Sequence, residues 1–234
     1  MIVWLASYPR SGNTFFRVVL HHVYNLKTFS VYDEAEAGVA DVTGHEKLPA
    51  PLTELAAAPE TYFIKTHNLP QDNAPAVYLV RDGRDALVSH ANYLLSFRMK
   101  EKEIPLSHAP VRRFEQVLED LIADKPRFGG WSGNVRAWVG RPMARTVVIR
   151  FEDLIASPQS EVEKGVAALG LNLAALSGEV VPDFAALQAQ SPEFFRRGKA
   201  GAWRDEMPER LHQLFLRHHR VVLEQFGYPT TSMP

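Results

Sequence analysis

Four short apolar runs punctuate the chain: Ile2–Ala6, Tyr62–Ile64, Ala76–Val80 and Thr146–Phe151. Each is β-branched or aromatic and is followed by polar turn residues, which predicts buried strands. Between them the apolar spacing shifts to the helical period over Asn13–Val23, Arg84–Leu95, Ala109–Ala123 and Trp131–Val139. Strands alternating with helices predict an α/β fold with a largely parallel central sheet flanked by helices. Ligands of such sheets sit beyond the carboxyl ends of the strands, so the residues after each run are the first candidates for function.

After Phe151 the pattern becomes mostly helical. In "SPQSEVEKGVAALG", Ser157 reads as an N-cap with Glu161 as its capping-box partner, Pro158 as the first helical residue and Gly170 as the stop. A last helix is expected over Pro208–Phe226, ending at Gly227 and followed by a frayed tail after about residue 228. The stretch Pro49–Glu60, "PAPLTELAAAPE", comes nearest to a linker, and no internal repeat is found, so residues 1–234 read as one domain.

Hydrophobic residues make up 46% of the 234 and charged residues 23%, an ordinary balance for a globular protein. The net charge of −1 excludes the broad basic field of a non-specific nucleic-acid binder. Arginine outnumbers lysine, and arginine suits bidentate recognition of phosphate and sulfate oxygens. The absence of cysteine excludes disulfides, thiolate metal sites and cysteine nucleophiles. No run approaches the roughly 20 apolar residues of a membrane span, and the first residues do not read as a signal peptide, so a cytoplasmic protein is expected. His21-His22, His218-His219 and "HEK" at His45–Lys47 supply no convincing metal constellation, so no metal is expected.

The segment "WLASYPRSGNTFFRVVL", Trp4–Leu20, carries the first chemistry. It has the strand, tight loop and helix of a phosphate-binding turn, which makes the expected sheet P-loop-like. The nucleotide-triphosphatase pattern G-x-x-x-x-G-K-[ST] closes here as Gly12-Asn13-Thr14, with Asn13 where the lysine belongs. Backbone N–H groups of Ser11 to Thr14 at a helix start still suit an anion, and Arg10 supplies a charge within the loop. An ordinary strand–turn–helix connection uses the same residues.

Six segments in order resemble the sulfotransferases that use 3′-phosphoadenosine 5′-phosphosulfate (PAPS). "YPRSGNTF" (Tyr8–Phe15) resembles their Y-P-K-S-G-T-T-W loop, and "FIKTHNLP" (Phe63–Pro70) their K-T-H-L-P segment. "VYLVRDGRDALVSHANY" (Val77–Tyr93) resembles the 3′-phosphate motif, with Arg81 and Ser89 at the family spacing. "GGWSGNVRAWV" (Gly129–Val139), "VIRFEDLIASP" (Val148–Pro158) and "RRGKAGAW" (Arg196–Trp203) resemble the later family segments. The departures are Arg10 for lysine, Asn13 for threonine, Phe15 for the adenine-stacking tryptophan, Asn68 inserted before Leu69, and Ala202 for aspartate. The dimerisation sequence of many eukaryotic members is replaced by "MPERLHQLF", which leaves the oligomeric state open.

The resemblance implies sulfuryl transfer from PAPS to an acceptor hydroxyl, or less commonly an amine, of a small molecule or glycan. His67 is then the general base, suited by a pKa near neutrality, with Lys65 and Arg10 as its cationic partners. Lys65 precedes His67 by two, so an extended backbone turns both to one side. Ser11, Gly12, Asn13 and Thr14 surround the 5′-phosphosulfate and Phe15 packs against adenine. Arg81, Ser89, Arg196, Arg197 and the backbone of Gly198 hold the 3′-phosphate. Trp131 and Trp138, seven apart in a helical pattern, read as core. Two other readings remain: a P-loop kinase, against which Asn13 stands, and a non-catalytic nucleotide-binding protein of the same fold, against which Lys65 and His67 stand. The acceptor is expected to depend on residues 27–59 and 94–128, where Phe97, Met99, Phe114 and Phe128 offer apolar surface and Arg98, Arg112 and Arg113 offer charge.

Overall fold

Five strands form one parallel sheet in the order β2-β3-β1-β4-β5: β1 Ile2–Ser7, β2 Thr28–Ser30, β3 Tyr62–Thr66, β4 Ala76–Val80 and β5 Thr146–Arg150. The computed structural model describes residues 1–32, 39–101, 111–123, 128–176, 181–182, 184–190 and 198–230. All six residues of β1 are buried, because a central parallel strand is covered on both faces and needs an unbroken apolar run. Its alternate residues feed two cores. Ile2, Trp4 and Ala6 join Ile64, Tyr78 and Val80 on one face; Val3 and Leu5 join Phe63, Val77 and Leu79 on the other.

The first face is covered by α4 (Gly83–Glu101), α5 (Val111–Ile122), α6 (Gly130–Val139) and α11 (Glu209–Gln225). The second is covered by α1 (Asn13–Tyr24) and α8 (Pro158–Ala168), with α9 (Phe184–Gln190) adding Leu187. Short helices α2 (Ala40–Thr43), α3 (Leu52–Ala57), α7 (Phe151–Ala156) and α10 (Trp203–Glu206) complete the described elements. Trp131 and Trp138 are fully buried in the first core, as their spacing predicts. From β1 the chain runs to β2 at one edge, returns through β3, and only then places β4 on the far side of β1. That reversal opens a crevice at the carboxyl ends of β1, β3 and β4.

Several boundaries differ from the sequence expectation. β2 was not predicted: three residues, Thr-Phe-Ser, carry no periodic signal, and it exists by pairing with β3. β3 continues past Ile64 to Thr66, because Lys65 and Thr66 pair in register with Leu5 and Ala6 of β1. β5 stops at Arg150, and Phe151 begins α7 instead of ending the strand. The capping box does not form. Glu161 stands one position too far along the helix, Ser157 makes no side-chain cap bond, and Glu161 accepts from Lys164 Nζ at 2.6 Å.

Both predicted glycine stops hold. Leu171 N–H donates to Val166 O and Gly170 N–H to Ala167 O, and Tyr228 and Gly227 repeat the pattern on Leu223 and Glu224. The chain is not frayed at Tyr228, which is buried and donates its hydroxyl to Glu152 Oε2 at 2.8 Å; residues 231–234 lie outside the described residues.

Candidate functional site: a crevice at three strand ends

The loop after β1 is shaped by backbone geometry that its residues do not all favour. Arg10 has φ 65° and Gly12 φ 97°. A Cβ on Gly12 would lie 2.5 Å from Phe151 Cδ2, so both conformation and space demand glycine there. Gly12 is also the N-cap of α1, which has no side-chain cap and no acidic residue in its first turn. Its leading N–H groups and the positive end of its dipole are therefore offered to an anion. The Ser11 hydroxyl is buried without a hydrogen-bond partner among the described residues, a donor held ready for the same ligand.

Asn13 is expected to meet the anion through its backbone N–H, and its side chain is turned the other way. Its Nδ2 donates to Leu5 O at 2.7 Å and to Ser7 Oγ at 3.4 Å, so the amide braces the loop from below. Where a triphosphatase lysine would reach outward, this chain has an inward strut. Phe15 is also less accessible than an adenine platform requires: it is 4% exposed and belongs to the second core. Its ring backs the loop and offers no open face.

His67 follows directly on β3. Its Nδ1–H donates to the Ser7 carbonyl at 2.8 Å. A carbonyl only accepts, so this bond assigns the Nδ1–H tautomer and leaves the Nε2 lone pair as the basic atom. The pKa is held well below the ordinary histidine value, first by burial, then by the Lys65 charge, with His90 and Arg10 acting in the same direction and the Ser7 bond opposing them. Lys65 is buried on the same side of β3, two residues back. The imidazole is thus neutral at pH 7 and close to cations.

A second set of contacts fixes the backbone at His67. Asn134 of α6 donates from Nδ2 to the carbonyls of His67 and Phe128, both at 2.9 Å, and its Oδ1 accepts from the Tyr78 hydroxyl at 2.9 Å. Trp138 Nε1 donates to Asn68 O at 2.9 Å. The inserted Asn68 is therefore built in.

β4 delivers the remaining cations. Arg81 donates from Nη1 to Arg10 O and from Nη2 to Lys199 O, each at 3.1 Å, and its guanidinium lies 4.4 Å from the Phe151 ring centroid. Arg10 Nε donates to Ser89 Oγ at 3.3 Å, and its guanidinium lies 5.3 Å from the Tyr93 ring centroid. Ser89 and Tyr93 are one turn apart on α4 and meet Arg10 together. The fold thus gathers Arg10, Ser11, Gly12, Lys65, His67, Arg81 and Ser89 around one crevice.

The last loop is tied in by Asp85, a residue that sequence reasoning missed. Its carboxylate accepts from Gly201 N–H at 2.6 Å and Trp203 N–H at 2.8 Å, carrying Gly198 and Lys199 toward Arg81. Burial raises the Asp85 pKa, opposed chiefly by Arg81. Beside it the fully buried Arg84 makes a two-pronged bond to Asp82, at 2.9 and 2.6 Å, and stacks on Trp203. Arg196 and Arg197 lie outside the described residues. Also missed were Tyr32, Asn134 and Tyr93. Asn134 and Tyr93 lay within segments already singled out, Gly129–Val139 and Val77–Tyr93, whereas Tyr32 had no local signal. Among the described residues no group of three His, Cys, Asp or Glu side chains is placed to hold a metal ion, and no helix is long and apolar enough to cross a membrane.

Residues 2–227 match the family model described as "Sulfotransferase domain". The chain is 23% identical over 254 residues to Sulfotransferase 1E1 of Mus musculus, covering 94% of this chain and 82% of that protein. It is 27% identical over 192 residues to the 3-alpha-hydroxysteroid sulfotransferase of Cavia porcellus, covering 72% and 63%. Among solved structures it is similar to mouse sulfotransferase SULT7A1 complexed with PAP, with TM-score 0.61, 18% identity and coverage of 97% of this chain and 89% of that one. It is also similar to retinol dehydratase in complex with androsterone and inactive cofactor PAP, with TM-score 0.64, 20% identity and coverage of 98% and 83%.

Proposed function

The chain belongs to the sulfotransferase domain family, and on that premise we propose that the crevice binds PAPS and that His67 Nε2 is the general base. The protein is a PAPS-dependent sulfotransferase: PAPS supplies the sulfuryl group, and 3′,5′-adenosine bisphosphate (PAP) is the other product. The observation that carries the site assignment is the Nδ1–H bond to Ser7 O, which turns an unprotonated Nε2 into the base of a crevice already lined with cations.

The Ser11 hydroxyl and the N–H groups that begin α1 hold the 5′-phosphosulfate, as both lack partners within the chain's own cap. Arg10 and Lys65 stabilise charge on the transferred group and leaving phosphate, a kind of preorganised electrostatics worth about 3–4 kcal/mol per donor. Arg81 and Ser89, with Arg196, Arg197 and the Gly198 backbone, read the 3′-phosphate. As the acceptor oxygen bonds to sulfur, its proton passes to Nε2 and the sulfur–phosphate oxygen bond breaks. Asn13 acts through the loop conformation and Phe15 as its backing. The acceptor is a hydroxyl-bearing small molecule or glycan, in line with the steroid and retinoid words in the names of similar proteins. A cytoplasmic location, expected from the sequence, is part of the same reading.

The test is thermal unfolding with PAP, 5′-AMP and ATP–Mg²⁺, followed by PAPS turnover against a panel of hydroxyl acceptors. At a hundredfold excess over its dissociation constant PAP adds about 2.7 kcal/mol, roughly 5–10 °C for a chain of this size. His67→Ala is expected to keep that shift and lose turnover by about 10²–10⁴-fold. Full turnover in His67→Ala would refute the base, and a shift with ATP–Mg²⁺ alone would refute the nucleotide.

A further inference from the structure

We propose that Tyr32, just beyond β2, is a positioning residue for His67, and that with Phe128 it forms an aromatic clamp holding the imidazole in one orientation and shielding it from water. The proposal rests on the reading of His67 as the base, but its geometry is independent of that reading. The Tyr32 ring stacks on the His67 ring at a centroid distance of 5.7 Å and an interplanar angle of 23°. The Phe128 ring meets the imidazole edge-on at 5.8 Å and 69°. The Tyr32 hydroxyl, in turn, accepts from the His67 backbone N–H at 2.8 Å and donates to Asn68 Oδ1 at 3.3 Å. One side chain thus grips both the ring and the main chain of His67.

Phe128 adds a second sign that the arrangement is built. Its φ is 64°, in the left-handed region that a bulky L-residue rarely adopts. Asn134 holds it there by donating to Phe128 O while also donating to His67 O. The strained residue and the base are therefore fixed from a single amide. Facing the imidazole from the other elements are Lys65 on β3, the Ser7 carbonyl and hydroxyl on β1, Arg10 in the first loop and His90 on α4. The cations explain part of the suppressed protonation of His67, but burial is its largest cause, and the two rings pack against the imidazole. A base freed of its proton at neutral pH and unable to rotate is what proton abstraction from an acceptor requires.

The test follows the His67 imidazole by NMR titration and its amide by hydrogen exchange in the full chain. Tyr32→Leu removes the stack, and the His67 titration is expected to move to higher pH. Tyr32→Phe keeps the stack and removes the hydroxyl, so the titration is expected to stay in place while the His67 amide exchanges faster, on the order of tenfold. An unmoved titration in Tyr32→Leu, or unchanged amide exchange in Tyr32→Phe, would overturn the clamp. Tyr32→Phe keeps the test decisive should Tyr32→Leu fold poorly. Neither readout needs turnover, so failure of the clamp is distinguishable from failure of the base, which rests on His67→Ala activity.

Discussion

Replacing Asn134 by alanine probes the brace behind the candidate base. The side chain is fully buried and makes three bonds: two donated, to the carbonyls of His67 and Phe128, and one accepted from Tyr78. Alanine removes all three bonds, and their surroundings differ; the Tyr78 hydroxyl keeps the bond it accepts from the Tyr8 backbone. The Tyr78 hydroxyl is in the fully buried core, where a lost partner costs about 1–3 kcal/mol. The two carbonyls are partly exposed at the crevice, so water can replace some of the loss, about 0.5–1.5 kcal/mol each. The total is about 2–6 kcal/mol, or a fall in Tm of roughly 5–20 °C for a chain of this length. Urea denaturation of Asn134→Ala, Tyr78→Phe and the double variant measures it. Both changes remove the same Asn134–Tyr78 bond, so the double variant should lose about 1–2 kcal/mol less than the sum of the two. A loss below about 1 kcal/mol, or strict additivity with Tyr78→Phe, would refute this account. PAP affinity should stay within about twofold in all three variants, because none of the proposed nucleotide contacts uses Asn134.

Gly12→Ala should cost about 2–5 kcal/mol by denaturation, from about 1–2 for the left-handed backbone and about 1–3 for the clash with Phe151. Phe151→Leu in the same chain should relieve only the second part, and a Gly12→Ala protein of wild-type stability would contradict the loop geometry. Asp85→Asn should weaken PAP binding about tenfold by calorimetry, since an amide cannot accept from both Gly201 and Trp203 through two oxygens; unchanged affinity would separate the last loop from the nucleotide.

Stability should fall on acidification below pH 6.5, in part through His219. Burial pushes its pKa down to about 4, its Nε2–H donates to Ile122 O, and Nδ1 accepts from the Ser132 hydroxyl. The unfolded chain takes up a proton near pH 6.5 that the folded chain refuses until about pH 4, so stability rises with pH across that window, by roughly 3 kcal/mol for this residue. Urea midpoints from pH 4 to 7.5 should show a shallower slope in His219→Gln; an identical slope would remove His219 as a contributor.

Features governed by short-range forces were legible from the residues alone. β1 and β4 were legible because a parallel strand covered on both faces needs a continuous apolar run, and Ile2–Ala6 and Ala76–Val80 are such runs. Gly170 and Gly227 stopped their helices because the terminating turn is a local backbone matter. The order of the motifs pointed to the residues that meet at the crevice: Arg10, Lys65, His67, Arg81 and Ser89. Tertiary contacts decided which way side chains turn and what holds them. The Asn13 amide turns inward, because folding brings the Leu5 carbonyl of β1 within its reach. Phe15 lost its open face to the core, and Phe151 left the strand to pack beneath Gly12 and Arg81. β2 has no pattern of its own, since pairing with β3 creates it and brings Tyr32 to a histidine 35 residues away. Asp85 reaches Gly201 across 116 residues. The tautomer of His67 rests on a carbonyl 60 residues away. Periodicity and turn chemistry act over a few residues, whereas the direction of a buried polar group is chosen by whichever partner folding brings within hydrogen-bonding reach.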